Sequence, residues 1–318
     1  MTDRPVFRTC LETAGPAAGW PVLLVTLSLI ASAAELQQLV GLLSAAERER
    51  ANRRLPEVRR RAIASRGRLR QLLGRLLKVP AAQVELTTGP QGKPTLAGSL
   101  RGLLEFNVSH SGDEGLIAVT RSGPVGIDLE ITKPTQTADW AGLMAGTILA
   151  EAELARWQQL PAVEAAAAVL DAWVAKEAIF KASGSGIGDR LRQCCLPAVL
   201  PRAVLPPTGG LNVVGKSPPW PLPTLAGEHR PTWAAPESVQ GFRGCQAPPP
   251  AAGNYFHSLP TVCHLAVPEL PSAAGSGNQP LAVTLLDLGP GRHAALACPA
   301  ESVAVTVGAF PELVPESA

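Results

Sequence analysis

The first long apolar run, Trp20 to Ile30, is nearly unbroken and predicts a buried strand. It is shorter than the roughly 20 apolar residues of a membrane span. It also follows nineteen residues that include Asp3 and Glu12, a poor match to a signal peptide. Ala33–Leu43 then repeats at helical spacing. Ser44 and Glu47 have the S-x-x-E spacing of a capping box and open a second helix. Pro56 interrupts the pattern, and a longer helix runs from there to about Lys78. Its apolar positions are Leu69, Leu72, Leu73, Leu76 and Leu77.

Gly89–Pro94 reads as a turn, followed by three short strand-like runs: Phe106–Ser109, Gly115–Thr120 and Val125–Glu130. After Pro134 the period is helical again over Ile148–Leu160 and Ala162–Ser183, with Gly184 and Gly186 as stop signals. Residues 197–280 are rich in Pro, Gly, Ser and Ala and keep little periodicity, so loops or disorder are expected, with a possible strand at Tyr255–Val267. Strands resume at Leu281–Leu286 and His293–Cys298, turning at Gly289–Gly291, with one more at Val303–Val307. Both halves run from helices into short strands joined by Gly turns, a faint internal repeat.

The 318 residues correspond to two units at roughly 150 residues per domain. Net charge is only +2, so no global field selects a partner. Locally, Arg48 to Arg75 holds eleven Arg against Glu49 and Glu57, a balance of +9. That run fits either a polyanion partner or a solvated helix face. The six cysteines form no CxxC pair and no zinc spacing, which points to free thiols in a reducing cytoplasm.

Four motifs carry candidate chemistry. In Gly126-Ile127-Asp128-Leu129-Glu130, strand alternation sends Asp128 and Glu130 to one side. Two adjacent carboxylates repel unless a cation sits between them, and Mg²⁺ takes such a pair together with phosphate oxygens. The alternative is an exposed strand face. In Trp173–Lys181, Glu177 and Lys181 fall within the apolar arc of Val169, Leu170, Trp173, Val174 and Phe180. Charges there need partners, whereas a solvated i,i+4 pair belongs on the Asp171/Ala175/Ala178 side. Lys176 lies just outside the arc. In Phe106–Gly112, His110 stands at a strand end where it can meet phosphate or solvent. Gly92-Lys93-Pro94 presents a lysine on a turn. The chain has no G-x-S-x-G elbow, P-loop or dinucleotide fingerprint.

In their order and spacing, these motifs resemble the two-lobed, surfactin-type family of 4'-phosphopantetheinyl transferases. That family's pattern is G-K-P, F-N-x-S-H-S, G-I-D-x-E and W-x-x-K-E-A-x-x-K. Here these stand at Gly92–Pro94, Phe106–Ser111, Gly126–Glu130 and Trp173–Lys181. The likeness covers about residues 20–187 and resumes at Val283–Cys298. It implies an α+β fold of two similar lobes related by a pseudo-twofold, with the active site at their interface. The lobes would be residues 1–131 and residues 132–196 plus 281–310, with 197–280 a Pro/Gly-rich insertion. The chain departs from the family where Cys194-Cys195 and the Pro-rich stretch replace a strand, and in lacking aromatic residues near the start of the Arg-rich helix.

The resemblance implies that Asp128, Glu130 and Glu177 hold Mg²⁺. Ser109 and His110 would contact the coenzyme A phosphates, Lys93 and Lys181 would bind phosphate, and Arg61 would reach the 3'-phosphate. Glu177 would take the proton of a carrier-protein serine, and Lys181 would stabilise the leaving 3',5'-ADP. The implied partners are coenzyme A and an acyl or peptidyl carrier protein, acting with a cytoplasmic monomer and with neither nucleic acid nor membrane. Two rivals remain: a coenzyme A-binding member without transfer activity, and a basic nucleic-acid-binding protein that uses the Arg-rich helix.

Overall fold

A computed structural model describes residues 22–121, 123–200, 202–204, 281–299 and 305–309. The class is α+β. The elements that build it are β1 (Val22–Ser28), α1 (Ala33–Leu42), α2 (Ala45–Asn52), α3 (Pro56–Leu77) and the short hairpin β2 (Leu86–Thr88) and β3 (Pro94–Leu96). Then come β4 (Glu105–Ser111), β5 (Glu114–Thr120), β6 (Gly126–Ile131), α4 (Ala138–Ile148), α5 (Glu151–Trp157) and α6 (Ala162–Ser183). The remainder are β7 (Arg202–Val204), β8 (Leu281–Asp287), β9 (Arg292–Pro299) and β10 (Val305–Ala309).

Two four-stranded sheets form, ordered β10-β1-β5-β4 and β6-β9-β8-β7. Strand alternation assigns each face. Leu23, Val25, Leu27, Ile117 and Val119 pack against α1 and α3. Val22, Leu24, Leu116 and Ala118 turn the other way and meet Ile127, Leu129, Ala294 and Leu296 of the second sheet. The far face of that sheet, through Val283, Leu285, Ala295 and Ala297, packs on α4 and α6. The layers therefore run helices, sheet, sheet, helices.

The Ser44–Glu47 capping box forms with both bonds, 3.3 and 2.9 Å. Glu47 is itself buried and bonds Arg70 Nε at 2.8 Å. Arg70 also donates to the carbonyls of Ala81, Ala82 and Val84, while Arg68 donates to those of Ser28 and Ile30. Part of the +9 run is thus turned inward, where it satisfies the carbonyls of neighbouring loops.

The helix expected over Ile148–Leu160 forms as the shorter α5, and α4, which the periodicity did not predict, precedes it; the chain breaks between them at Leu149–Ala150, where Glu153 accepts the Ala150 N–H at 2.6 Å. Lys176, fully buried, closes this layer by donating to Glu153, the Ile148 carbonyl and the Leu191 carbonyl. Within the stretch expected to be loop, residues 202–204 form β7, parallel to β8. Residues 205–280, including the strand expected at Tyr255–Val267, lie outside the described residues, as do Cys10, Cys245 and Cys263.

The expected boundary at 131 puts β6 with the first unit, and the expected limit at 310 puts β10 with the second. Backbone hydrogen bonds pair β6 with β9 and β10 with β1. Among the described residues no helix is long and apolar enough to cross a membrane.

Candidate active site

The site lies where β4 and β6, edge strands of different sheets, face each other. No backbone ladder joins them; a side-chain ladder does. Asn107 Oδ1 accepts the Ile127 N–H at 2.9 Å, Ser109 Oγ that of Leu129 at 3.2 Å, and Ser111 Oγ that of Ile131 at 3.2 Å. The hydroxyls then donate onward: Ser109 to Asp128 Oδ1 at 2.8 Å and Ser111 to Glu130 Oε2 at 3.0 Å. Each serine therefore orients one carboxylate of β6. Asn107 and Ser111 were missed in the sequence, although small polar residues at every second position of a buried strand are a readable signal.

α6 lies on the same side of β6. Its approach is close because Gly126 has no side chain: a Cβ there would lie 1.9 Å from the Ala178 carbonyl oxygen. Ala175 and Ala178, expected on a solvated face, are fully buried. Alanine lets the helix backbone sit against the strand, so α6 carries buried residues around most of its circumference from Val174 onward.

Lys181 spans the carboxylates. Its Nζ donates to Asp128 Oδ1 at 2.5 Å and to Ser109 Oγ at 3.3 Å, and lies 3.8 Å from Glu177 Oε2. Ser109 Oγ thus donates once and accepts twice, which fills its capacity. The hydroxyl expected on a phosphate is turned inward onto Asp128. Asp128 Oδ2 is buried without a hydrogen-bond partner. Burial pushes the Glu177 carboxyl up to about 7; Lys181 opposes this, and the nearby Asp128 and Glu130 add to it. An orphaned carboxylate oxygen and a carboxyl that resists ionisation both mark a place short of positive charge. Asp128, Glu130 and Glu177 fit a hard divalent cation, which prefers oxygen donors. Among the described residues no three His, Cys, Asp or Glu side chains already stand as a metal cage, and it is the Lys181 ammonium that lies between Asp128 and Glu177.

His110 projects from β4 to the opposite side, exposed, into a cleft of about 220 Å³. Arg50, Arg54, Arg66, Ser65 and Pro94 line that cleft with it. Desolvation holds the His110 imidazole below its ordinary pKa, and Lys181, Arg54 and Arg61 lower it further. Lys181, Arg54 and Arg61 therefore all lie near enough to His110 to disfavour its charged form. Arg50, Arg54 and Arg66 were not singled out in the sequence, because eleven arginines in one run hide the few that converge.

Two expected phosphate ligands are engaged elsewhere. Arg61 Nε donates to Asp113 at 2.7 Å on the β4–β5 turn and is not part of the cleft lining. Lys93 Nζ donates to the carbonyls of Val125 and Ala182, at 3.0 and 3.2 Å.

Comparison with known proteins bears on this geometry. The model of the 4'-phosphopantetheinyl transferase superfamily matches residues 124–207, and that of the 4'-phosphopantetheinyl transferase N-terminal region matches residues 30–122. The chain is 39% identical over 156 residues to the 4'-phosphopantetheinyl transferase HetI of Nostoc sp., covering 48% of this chain and 64% of that one. It is 36% identical over 154 residues to slr0495 of Synechocystis sp., covering 48% and 61%. It is 31% identical over 131 residues to the 4'-phosphopantetheinyl transferase AcpT of Escherichia coli K12, covering 41% and 65%. The chain thus spans a little under two thirds of the length of these curated relatives. The two models together take in β4, β6 and α6, the elements that carry the carboxylates, their serines and Lys181. The chain belongs to the 4'-phosphopantetheinyl transferase superfamily.

Proposed function

We propose that this chain transfers the 4'-phosphopantetheine group of coenzyme A to a serine of an apo acyl or peptidyl carrier protein, releasing 3',5'-ADP. The observation that carries this reading is the gathering of Asp128, Glu130 and Glu177 around a cation-deficient point beside a cationic cleft. In this reading two similar lobes meet along the β4–β6 seam, and the nucleotide end of coenzyme A fills the cleft lined by Arg50, Arg54 and His110. Asp128, Glu130 and Glu177 hold one Mg²⁺, which when bound neutralises the pyrophosphate charge.

The chain's own groups do the rest. The serine oxygen forms a bond to the β-phosphorus as the bond from that phosphorus to the bridging oxygen breaks. Glu177, beside Asp128 and Lys181, takes the serine proton. Lys181, as a compact ammonium, stabilises the departing 3',5'-ADP. Ser109 and Ser111 keep Asp128 and Glu130 pointed at the centre. The exposed arginines of α2 and early α3 meet the acidic helices of the carrier.

Incubation with coenzyme A, Mg²⁺ and a panel of apo carriers tests this. A carrier that gains the mass of one phosphopantetheine group supports it. Coenzyme A binding with no transfer to any carrier contradicts it.

A further inference from the structure

We infer that Lys93 is a positioning residue that fixes Lys181 against Asp128, and not a phosphate ligand. The inference rests on the proposed transfer reading for its functional consequence. The Gly92–Pro94 turn lies against the C-terminal end of α6. Lys93 Nζ donates to the Ala182 carbonyl, one residue beyond Lys181, and to the Val125 carbonyl, one residue before β6 begins. The same ammonium therefore ties the end of the helix that carries Lys181 to the start of the strand that carries Asp128.

The neighbouring contacts agree. α6 ends on Gly184 in the left-handed region, at φ 67, which leaves its last carbonyls without helical partners. A lysine donating there is a favourable close to a helix C-terminus. A Cβ on Gly186 would lie 2.8 Å from Gln91 Oε1, so the hairpin tip is seated on the turn that follows α6. Burial holds the Lys93 ammonium below its ordinary range, with Glu105 opposing. Two of the three N–H donors of Lys93 are taken by these partly buried carbonyls, which hold the ammonium at the junction of helix and strand. Pro94, next in the chain, lines the cationic cleft, so one turn touches both the cleft and the support of the carboxylate centre.

The test compares Lys93→Met with Lys93→Gln, whose amide still donates but carries no charge. For Lys93→Met, kcat of carrier labelling should fall by about tenfold to a hundredfold through misplacement of Lys181. KM for coenzyme A and Kd for 3',5'-ADP, the latter by calorimetry, should stay within about twofold, and Lys93→Gln should recover part of kcat. Weakening of 3',5'-ADP binding by about tenfold or more in either variant overturns the inference.

A second measurement needs no variant. Acetylation of Lys93 in the intact chain, followed by peptide mass spectrometry, should be about tenfold slower than that of exposed Lys78 and Lys133. It should be unchanged by saturating 3',5'-ADP. Parity with the exposed lysines, or added protection by the nucleotide, overturns the inference. If the wild-type chain labels no carrier, the transfer reading fails while the affinity and acetylation readings still decide what Lys93 does.

Discussion

Ser109 on β4 donates a 2.8 Å hydrogen bond to Asp128 on β6, across two strands that share no backbone ladder. The bond is possible because Ser109 also accepts the Leu129 N–H, which fixes the strands in register. Replacing Ser109 by Ala leaves a buried N–H without its acceptor and Asp128 with one donor fewer. Ser109→Ala is expected to lose roughly 1–3 kcal/mol of stability in urea unfolding. Its labelling rate should fall by about tenfold or more. Wild-type values for both would show that the side-chain ladder does not support the site.

Glu177 makes stability depend on pH. Burial pushes its folded carboxyl up to about 7, from the ordinary 4.5. Between these values the folded state keeps a proton that the unfolded state has lost, so stability falls as pH rises through that window. From this group alone, the loss between pH 4.5 and 8 is up to roughly 3 kcal/mol. Urea midpoints measured from pH 5 to 8 without divalent cation should decline for the wild type and flatten for Glu177→Gln. Added Mg²⁺ at pH 8 should restore the wild type and leave the variant unchanged.

The arginines of α2 and α3 divide into two roles that mutation separates. Arg70 is buried on Glu47 and three carbonyls. Arg70→Met should cost roughly 3–5 kcal/mol, because it strands a buried carboxylate. Arg54 is exposed at the cleft. Arg54→Ala should change stability by less than about 0.5 kcal/mol and raise the KM for coenzyme A by about tenfold. Thermal melts and initial rates on the same two variants check both halves of this prediction.

Much of the fold was legible from periodicity. The bounds of α6, Ala162–Ser183, follow from its pattern and from Gly184, and the capping box at Ser44 and Glu47 forms as spaced. The pairing of Asp128 with Glu130 on one face was readable because strand alternation is local. What was not legible depends on distant backbone. Alanines 175 and 178 looked like a neutral solvent face, and only Gly126, about fifty residues earlier, lets that face close on β6. Arg68 and Arg70 looked like surface charge because their partners are loop carbonyls that no side-chain pattern announces. α4 was missed because Gly142, Gly146 and Thr147 dilute its period, although Ala141, Ala145 and Ile148 bury one face. The inward turn of Ser109 has the same origin, since its acceptor lies on a strand of another sheet.

The central claim is that Asp128 holds the cation that makes transfer possible. The most direct measurement is the mass of an apo carrier protein after incubation with coenzyme A and either the wild-type chain or Asp128→Ala, each with Mg²⁺ and with excess chelator. The wild type should add one phosphopantetheine group only when Mg²⁺ is present, and Asp128→Ala should add none while melting as a folded protein. Full labelling by Asp128→Ala, or labelling by the wild type that ignores the chelator, would contradict the account.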